Sequence, residues 1–176
     1  MKIATHNSCT GEKGKGLLSL LVSPFSKCQS KTLAEQYDAG VRYFDVRYKY
    51  STKRGCYVCA HGLWESERSL REVLQELNDF LGCYVMLTCE SGAPLTYASI
   101  RNLIKVLPGI QFTSFNRKLP RWRMDFCHTK VAHANAYTVL DWSSWCTLLP
   151  IPWLWKKLRN DHPKFNNTMF TMVDFI

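Results

Sequence analysis

A chain of 176 residues that is 46% hydrophobic can bury one good core, and a single domain spanning 1–176 is expected. Its formal net charge of +9 favours anionic partners such as phospholipid head groups, phosphorylated metabolites or nucleic acid. No run of roughly 18 uncharged apolar residues occurs, which excludes a spanning helix, and the opening Met1-Lys2-Ile3-Ala4-Thr5-His6 shows no secretory signal, so a cytoplasmic or peripheral membrane location is expected.

Residues 2–5 read as a short strand that delivers His6-Asn7-Ser8 to a loop, and 31–39 as a helix stopped by Gly40. Residues 41–48 alternate as a strand does, and 57–60 form another strand ending at His61-Gly62. Over 69–81 the apolar residues Leu70, Val73, Leu74, Leu77 and Leu81 recur at helical spacing, Gly82 stops the helix, and 84–88 is the next strand. A helix over 97–107 ends before Pro108-Gly109, and strands are expected near 110–113, 137–140 and 169–175. Alternating strands and helices favour an α/β fold with parallel strands and crossover helices, and the length suits a small, trimmed or distorted TIM-type (β/α) barrel.

Eight cysteines are many for such a chain. With no signal segment they are expected to be free thiols. Cys56 and Cys59 form a C-x-x-C, but the alternation around them is that of a strand and there is no second ligand pair, so structural thiols are expected there rather than zinc or redox chemistry.

Polar residues suited to chemistry recur near the ends of the predicted strands: His6, Asp45, Arg47, His61, Glu90 and Asp174. Two histidines with an arginine suit phosphodiester cleavage, in which one group takes a proton from the nucleophile and another gives one to the leaving oxygen. The planar guanidinium of Arg47 can hold the charge that builds on the phosphoryl oxygens.

Ala4-Thr5-His6-Asn7-Ser8 resembles the Thr-His-Asp/Asn-Ser motif that opens the catalytic domain of phosphatidylinositol-specific phospholipase C, the bacterial type above all. The run from Ala39-Gly40 through Val41-Arg42-Tyr43-Phe44-Asp45-Val46-Arg47 is similar to that family's Gly-Ile/Val-Arg-Tyr-Phe-Asp-Ile/Leu-Arg, and Ala60-His61-Gly62 to the motif of its second histidine. The closing Met172-Val173-Asp174-Phe175-Ile176 is similar to its last strand, while 91–168 carries no motif of the family.

The resemblance implies an enzyme, a phospholipase C-like phosphodiesterase, with His6 as general base and His61 as general acid, Arg47 on the phosphate, Asp174 orienting His6, and a cyclic phosphodiester as first product. Asn7, Asp45 and Glu90 are implied as substrate-binding residues. No cofactor is expected, because Arg47 stands where the calcium-dependent branch has a carboxylate; were calcium used, Asn7, Asp45 and Glu90 would be its ligands. An inositol lipid is the expected substrate, with a glycerophosphodiester or sphingomyelin-type lipid as alternatives.

Two segments suit peripheral contact with an anionic membrane: the apolar stretch 17–25, which reads as a loop after the first strand, and Trp142, Trp145, Trp153 and Trp155 followed by Lys156, Lys157 and Arg159. A rival reading from another class is a basic nucleic-acid-binding protein, on the strength of Arg117, Lys118, Arg121 and Arg123 around Trp122.

Overall fold

The computed structural model describes residues 2–117, 131–133 and 170–173. Strand β1 (Lys2–Thr5) leads into a 3₁₀ turn (Ser8–Gly11), helix α1 (Gly16–Ser26) and helix α2 (Leu33–Asp38). Then come β2 (Val41–Ser51), β3 (Cys56–His61), β4 (Trp64–Ser69), α3 (Leu70–Asp79), β5 (Cys83–Ser91), α4 (Tyr97–Val106) and β6 (Ile110–Arg117), with β7 (Val131–His133) and β8 (Phe170–Val173) beyond.

Local chemistry sets the helix boundaries. Thr32 and Glu35 form a reciprocal capping box at the start of α2, and Ser69 and Glu72 form another at α3, so the first unpaired backbone donors of both helices are satisfied. Gly40 and Gly82, at φ 93 and 70, take the left-handed conformation that turns the chain out of a helix. The predicted helices over 31–39, 69–81 and 97–107 are thus present in shorter form, because their capping residues lie outside the helix proper.

Six strands run parallel in the order β6-β5-β2-β1-β8-β7, which is the cyclic order of a barrel wall. Among the described residues β6 and β7 do not pair, so the expected barrel is seen as an open mixed α/β sheet. The expectation of parallel strands is corrected at β3 and β4. Strand β2 continues past Tyr48 to Ser51, and its final residues pair antiparallel with β3, which pairs antiparallel with β4. The sequence Trp64-Glu-Ser-Glu-Arg-Ser gives little strand signal, because only Trp64 and Ser66 of it are buried.

Strand alternation divides the β2 and β5 side chains between two faces. Phe44, Val46, Tyr48, Val85, Leu87 and Cys89 join Leu70, Val73, Leu74 and Leu77 of α3 in the main core. Tyr43 and Met86 pack with Ala4 on the opposite face, and there the same alternation places Asp45, Arg47 and Glu90. The core thus fixes the polar face: every second residue of a strand held against α3 must point into the other layer.

Helix α1 was not expected, since 17–25 read as a loop. It has no side-chain N-cap and carries Pro24 inside. It is held from outside its own sequence: Ser19 Oγ donates to the Glu65 carbonyl at 3.1 Å and accepts from the Glu65 N–H at 3.0 Å, and Lys15 N donates to the same carbonyl at 2.7 Å. Segment 13–19 therefore straps the β3–β4 hairpin. Leu17, Leu18, Leu20 and Leu21 on this helix are 58–71% exposed.

Strand 137–140 lies outside the described residues, as do the tryptophan cluster with its cations and Lys118, Arg121, Trp122 and Arg123. All described cysteines are free, and Cys56 and Cys59 sit three apart on β3, where alternation sends them to opposite faces.

Candidate active site

His6 and Asn7 follow β1 directly, and Asn7 turns the chain with a φ of 46, the left-handed region that asparagine tolerates better than most residues. Its backbone N–H donates to Asp45 Oδ2 at 3.2 Å, which ties the turn to β2. Gln29, fully buried, donates from Nε2 to the His6 carbonyl at 3.1 Å and holds the turn from the other side.

Asp45 and Arg47 lie within β2 rather than at its end, because β2 runs on to meet β3. Arg47 reaches three groups: Nε donates to Asp45 Oδ2 at 3.2 Å, Nη1 lies 3.6 Å from Glu90 Oε2, and Nη2 donates to His6 Nε2 at 2.8 Å. Burial disfavours the arginine's charge, but the carboxylates of Asp45 and then Glu90 outweigh it and hold its pKa above the usual value. A guanidinium can only donate, so His6 Nε2 accepts at this contact.

A bulge falls at Glu90. Tyr48 pairs with Cys89 and Lys49 with Ser91, leaving Glu90 as the extra residue of β5. Its Oε1 accepts from Gly62 N at 3.1 Å, so the same carboxylate that meets Arg47 also fixes the turn after His61. Gly62 takes a φ of 61 in that turn.

His61 ends β3, as the sequence suggests. Its Nδ1 lies 2.7 Å from the Ser26 carbonyl at the end of α1; a carbonyl only accepts, so Nδ1 carries a proton and Nε2 is left to face the site. The Asn7 amide nitrogen joins the two rings, 3.2 Å from His6 Nε2 and 3.4 Å from His61 Nε2.

The structure therefore brings together six of the expected residues: His6, Asn7, Asp45, Arg47, His61 and Glu90. Asp174 lies outside the described residues. A seventh group was not expected. Cys28, two residues beyond α1, accepts from Asn7 Nδ2 at 3.2 Å and meets both imidazoles. Burial works against ionisation of its thiol, but the charge and hydrogen bond of His6, and then those of His61, draw its pKa down to about 6. Nothing in Ser26-Lys27-Cys28-Gln29 marks this cysteine by sequence; only the course of α1 brings it in.

The donor set does not fit calcium. The ion would need Asn7, Asp45 and Glu90 as oxygen ligands, but the Arg47 guanidinium already lies against both carboxylates, and a cation among them would meet its charge at close range. Among the described residues no three His, Cys, Asp or Glu side chains are arranged to hold a metal ion.

No protein-family model and no curated protein sequence matches the chain. Solved structures do. Phosphatidylinositol-specific phospholipase C from Listeria monocytogenes superposes with a TM-score of 0.60 at 14% identity, over 99% of this chain and 88% of that one. A mutant of the corresponding Staphylococcus aureus enzyme superposes with a TM-score of 0.61 at 13% identity over 98% and 85%, and a double mutant with 0.62 at 14% over 98% and 84%. The chain is thus similar in fold to bacterial phosphatidylinositol-specific phospholipases C.

Proposed function

We propose that the protein is a metal-independent phosphodiesterase of the phospholipase C kind, acting on an inositol lipid through His6 and His61. The observation that supports this most is the convergence of two imidazole Nε2 atoms on one amide, 3.2 and 3.4 Å away, with a buried guanidinium 2.8 Å from the first.

In this reading His6 Nε2, an acceptor toward Arg47, takes the proton from the inositol hydroxyl beside the phosphate. That oxygen attacks phosphorus, the charge building on the phosphoryl oxygens is held by Arg47, and His61 gives its Nε2 proton to the departing diacylglycerol oxygen. Hydrolysis of the cyclic product runs the same pair with exchanged roles. Asp45 Oδ1, buried and without a hydrogen-bond partner among the described residues, is the acceptor assigned to an inositol hydroxyl, with Asn7 beside it. Asp174, next in sequence after the described end of β8, is assigned to orient His6.

The lipid surface is met by α1, whose leucines face outward beside Lys15 and Lys27 while its last carbonyl holds His61. No helix among the described residues is long and apolar enough to cross a membrane, so this is contact at a surface.

The test is release of cyclic inositol phosphate from phosphatidylinositol vesicles in a chelator, comparing the intact protein with His6→Ala and His61→Ala. Each variant should lose about 10²–10⁴-fold in rate. Unimpaired turnover in either one would remove that histidine from the mechanism. Cleavage of glycerophosphocholine or sphingomyelin, with inositol lipid untouched, would move the substrate assignment.

A further inference from the structure

The acid/base reading leaves Cys28 without a task, although its sulfur lies where the two histidines meet. The residue is held firmly: its N–H donates to Thr10 Oγ1 at 2.9 Å, and the N–H of Gln29 donates to the same oxygen at 3.1 Å. Asn7 Nδ2 donates to Sγ at 3.2 Å, and both imidazoles lie within hydrogen-bonding reach of it. A thiol beside two bases and an amide donor is the environment in which sulfur gives up its proton.

Other described cysteines are placed differently. Cys9 is hydrogen-bonded to Cys59 and buried, and both effects push its thiol well above the usual value. Burial pushes Cys83 up to about 11. Cys28 is 8% exposed, against 3% for Cys9 and 0% for Cys83.

We propose that Cys28 is a reversible oxidation site that switches this centre off, with hydrogen peroxide as the reagent. This rests on the assignment of His6 and His61 as the acid/base pair. The thiolate attacks one peroxide oxygen, so that an S–O bond forms as the O–O bond breaks. Sulfur is oxidised by two electrons to the sulfenic acid and the peroxide is reduced; the departing hydroxide takes the proton from the neighbouring imidazolium and leaves as water. The product carries no charge and places an oxygen between the two rings. The histidines lose their anionic partner and the space for a phosphate. A dithiol reverses the change: one thiol displaces water from the sulfenic acid to form a mixed disulfide, and the second releases the cysteine.

The pH dependence separates this cysteine from an ordinary one. At pH 6 roughly half of Cys28 is thiolate, against about 0.3% of a free thiol near 8.5, an advantage of about 160-fold. The lower basicity of the sulfur returns about tenfold of that, so a net advantage of about tenfold remains near pH 6.

The full chain is treated with hydrogen peroxide from pH 5 to 9, capped with a sulfenic-acid reagent and mapped by peptide mass spectrometry. Turnover of phosphatidylinositol vesicles is followed before and after dithiothreitol, and the His6 and His61 ring resonances are followed by NMR. Cys28 should be capped with a midpoint near pH 6, turnover should fall in step and return with dithiothreitol, and both ring signals should shift. Cys28→Ser and Cys28→Ala should keep in peroxide the turnover each has without it. Oxidation of Cys56 ahead of Cys28, or oxidised Cys28 with both ring signals unmoved, overturns the proposal. The ring signals do not depend on substrate: if they shift with Cys28 oxidation in a protein that cleaves no inositol lipid, the substrate assignment fails and the oxidation switch stands.

Discussion

Replacing Arg47 by alanine should cost the protein much of its stability as well as its activity. The guanidinium is the positive partner of two buried carboxylates: Asp45, 0% exposed, at 3.2 Å and Glu90, 6% exposed, at 3.6 Å. Removing one member of a buried ion pair costs about 3–5 kcal/mol, because the charge left behind loses its compensating opposite charge away from water. A domain of this size is stable by about 5–15 kcal/mol, so Arg47→Ala should shift the urea midpoint by about a fifth of its value or more. Arg47→Lys separates the two roles. Its ammonium keeps the charge, but it cannot reach Asp45, Glu90 and His6 with the spread of a five-donor fork. It should hold most of the stability while losing about 10²–10³-fold in turnover, the usual range for a missing transition-state donor. An Arg47→Ala protein that unfolds at the wild-type urea concentration would refute this reasoning, since the carboxylates would then not depend on the arginine.

Three further outcomes can be measured directly. Replacing Leu17, Leu18, Leu20 and Leu21 together by serine should weaken sedimentation with anionic vesicles by about tenfold or more, given about 1.5–3 kcal/mol for each fully buried leucine, and should affect a soluble inositol phosphodiester far less. Ser69→Ala, which opens the capping box of α3, should lower stability by about 1 kcal/mol in a urea melt. Gln36→Leu should cost about 2–3 kcal/mol, because the buried amide donates to the Ser8 carbonyl at 2.8 Å and the Lys31 carbonyl at 2.7 Å, and the substitution removes both bonds.

Much of the site was legible because strands alternate. Once Phe44 and Val46 are taken as core, Asp45 and Arg47 must share the other face, and Glu90 needs only a neighbouring strand to join them. His6 and His61 were legible as residues that end strands. Three features were not. Helix α1 has apolar residues on most sides, no cap of its own and an internal proline, and its stability comes from Glu65, more than 40 residues away, a contact that no local pattern records. Strand β4 is polar because it forms the outer strand of the antiparallel hairpin. Cys28 lies in a short link whose composition is ordinary; it became part of the site through α1, so missing the helix meant missing the cysteine.

The pairing of β1 joins segments far apart in the sequence, residues 2–5 and 170–173. On one side it meets β2, with Ile3 opposite Val41, and on the other it meets β8, with Lys2 opposite Phe170 and Thr5 opposite Val173. His6 therefore hangs from a strand whose second neighbour, β8, is synthesised long after it. A growing polypeptide can hold residues 6–90 long before it holds 170–173, yet until then one edge of β1 has no ladder to close it. During translation the acid/base centre remains an unfinished assembly on an open edge, and completing it waits for β8 to leave the ribosome.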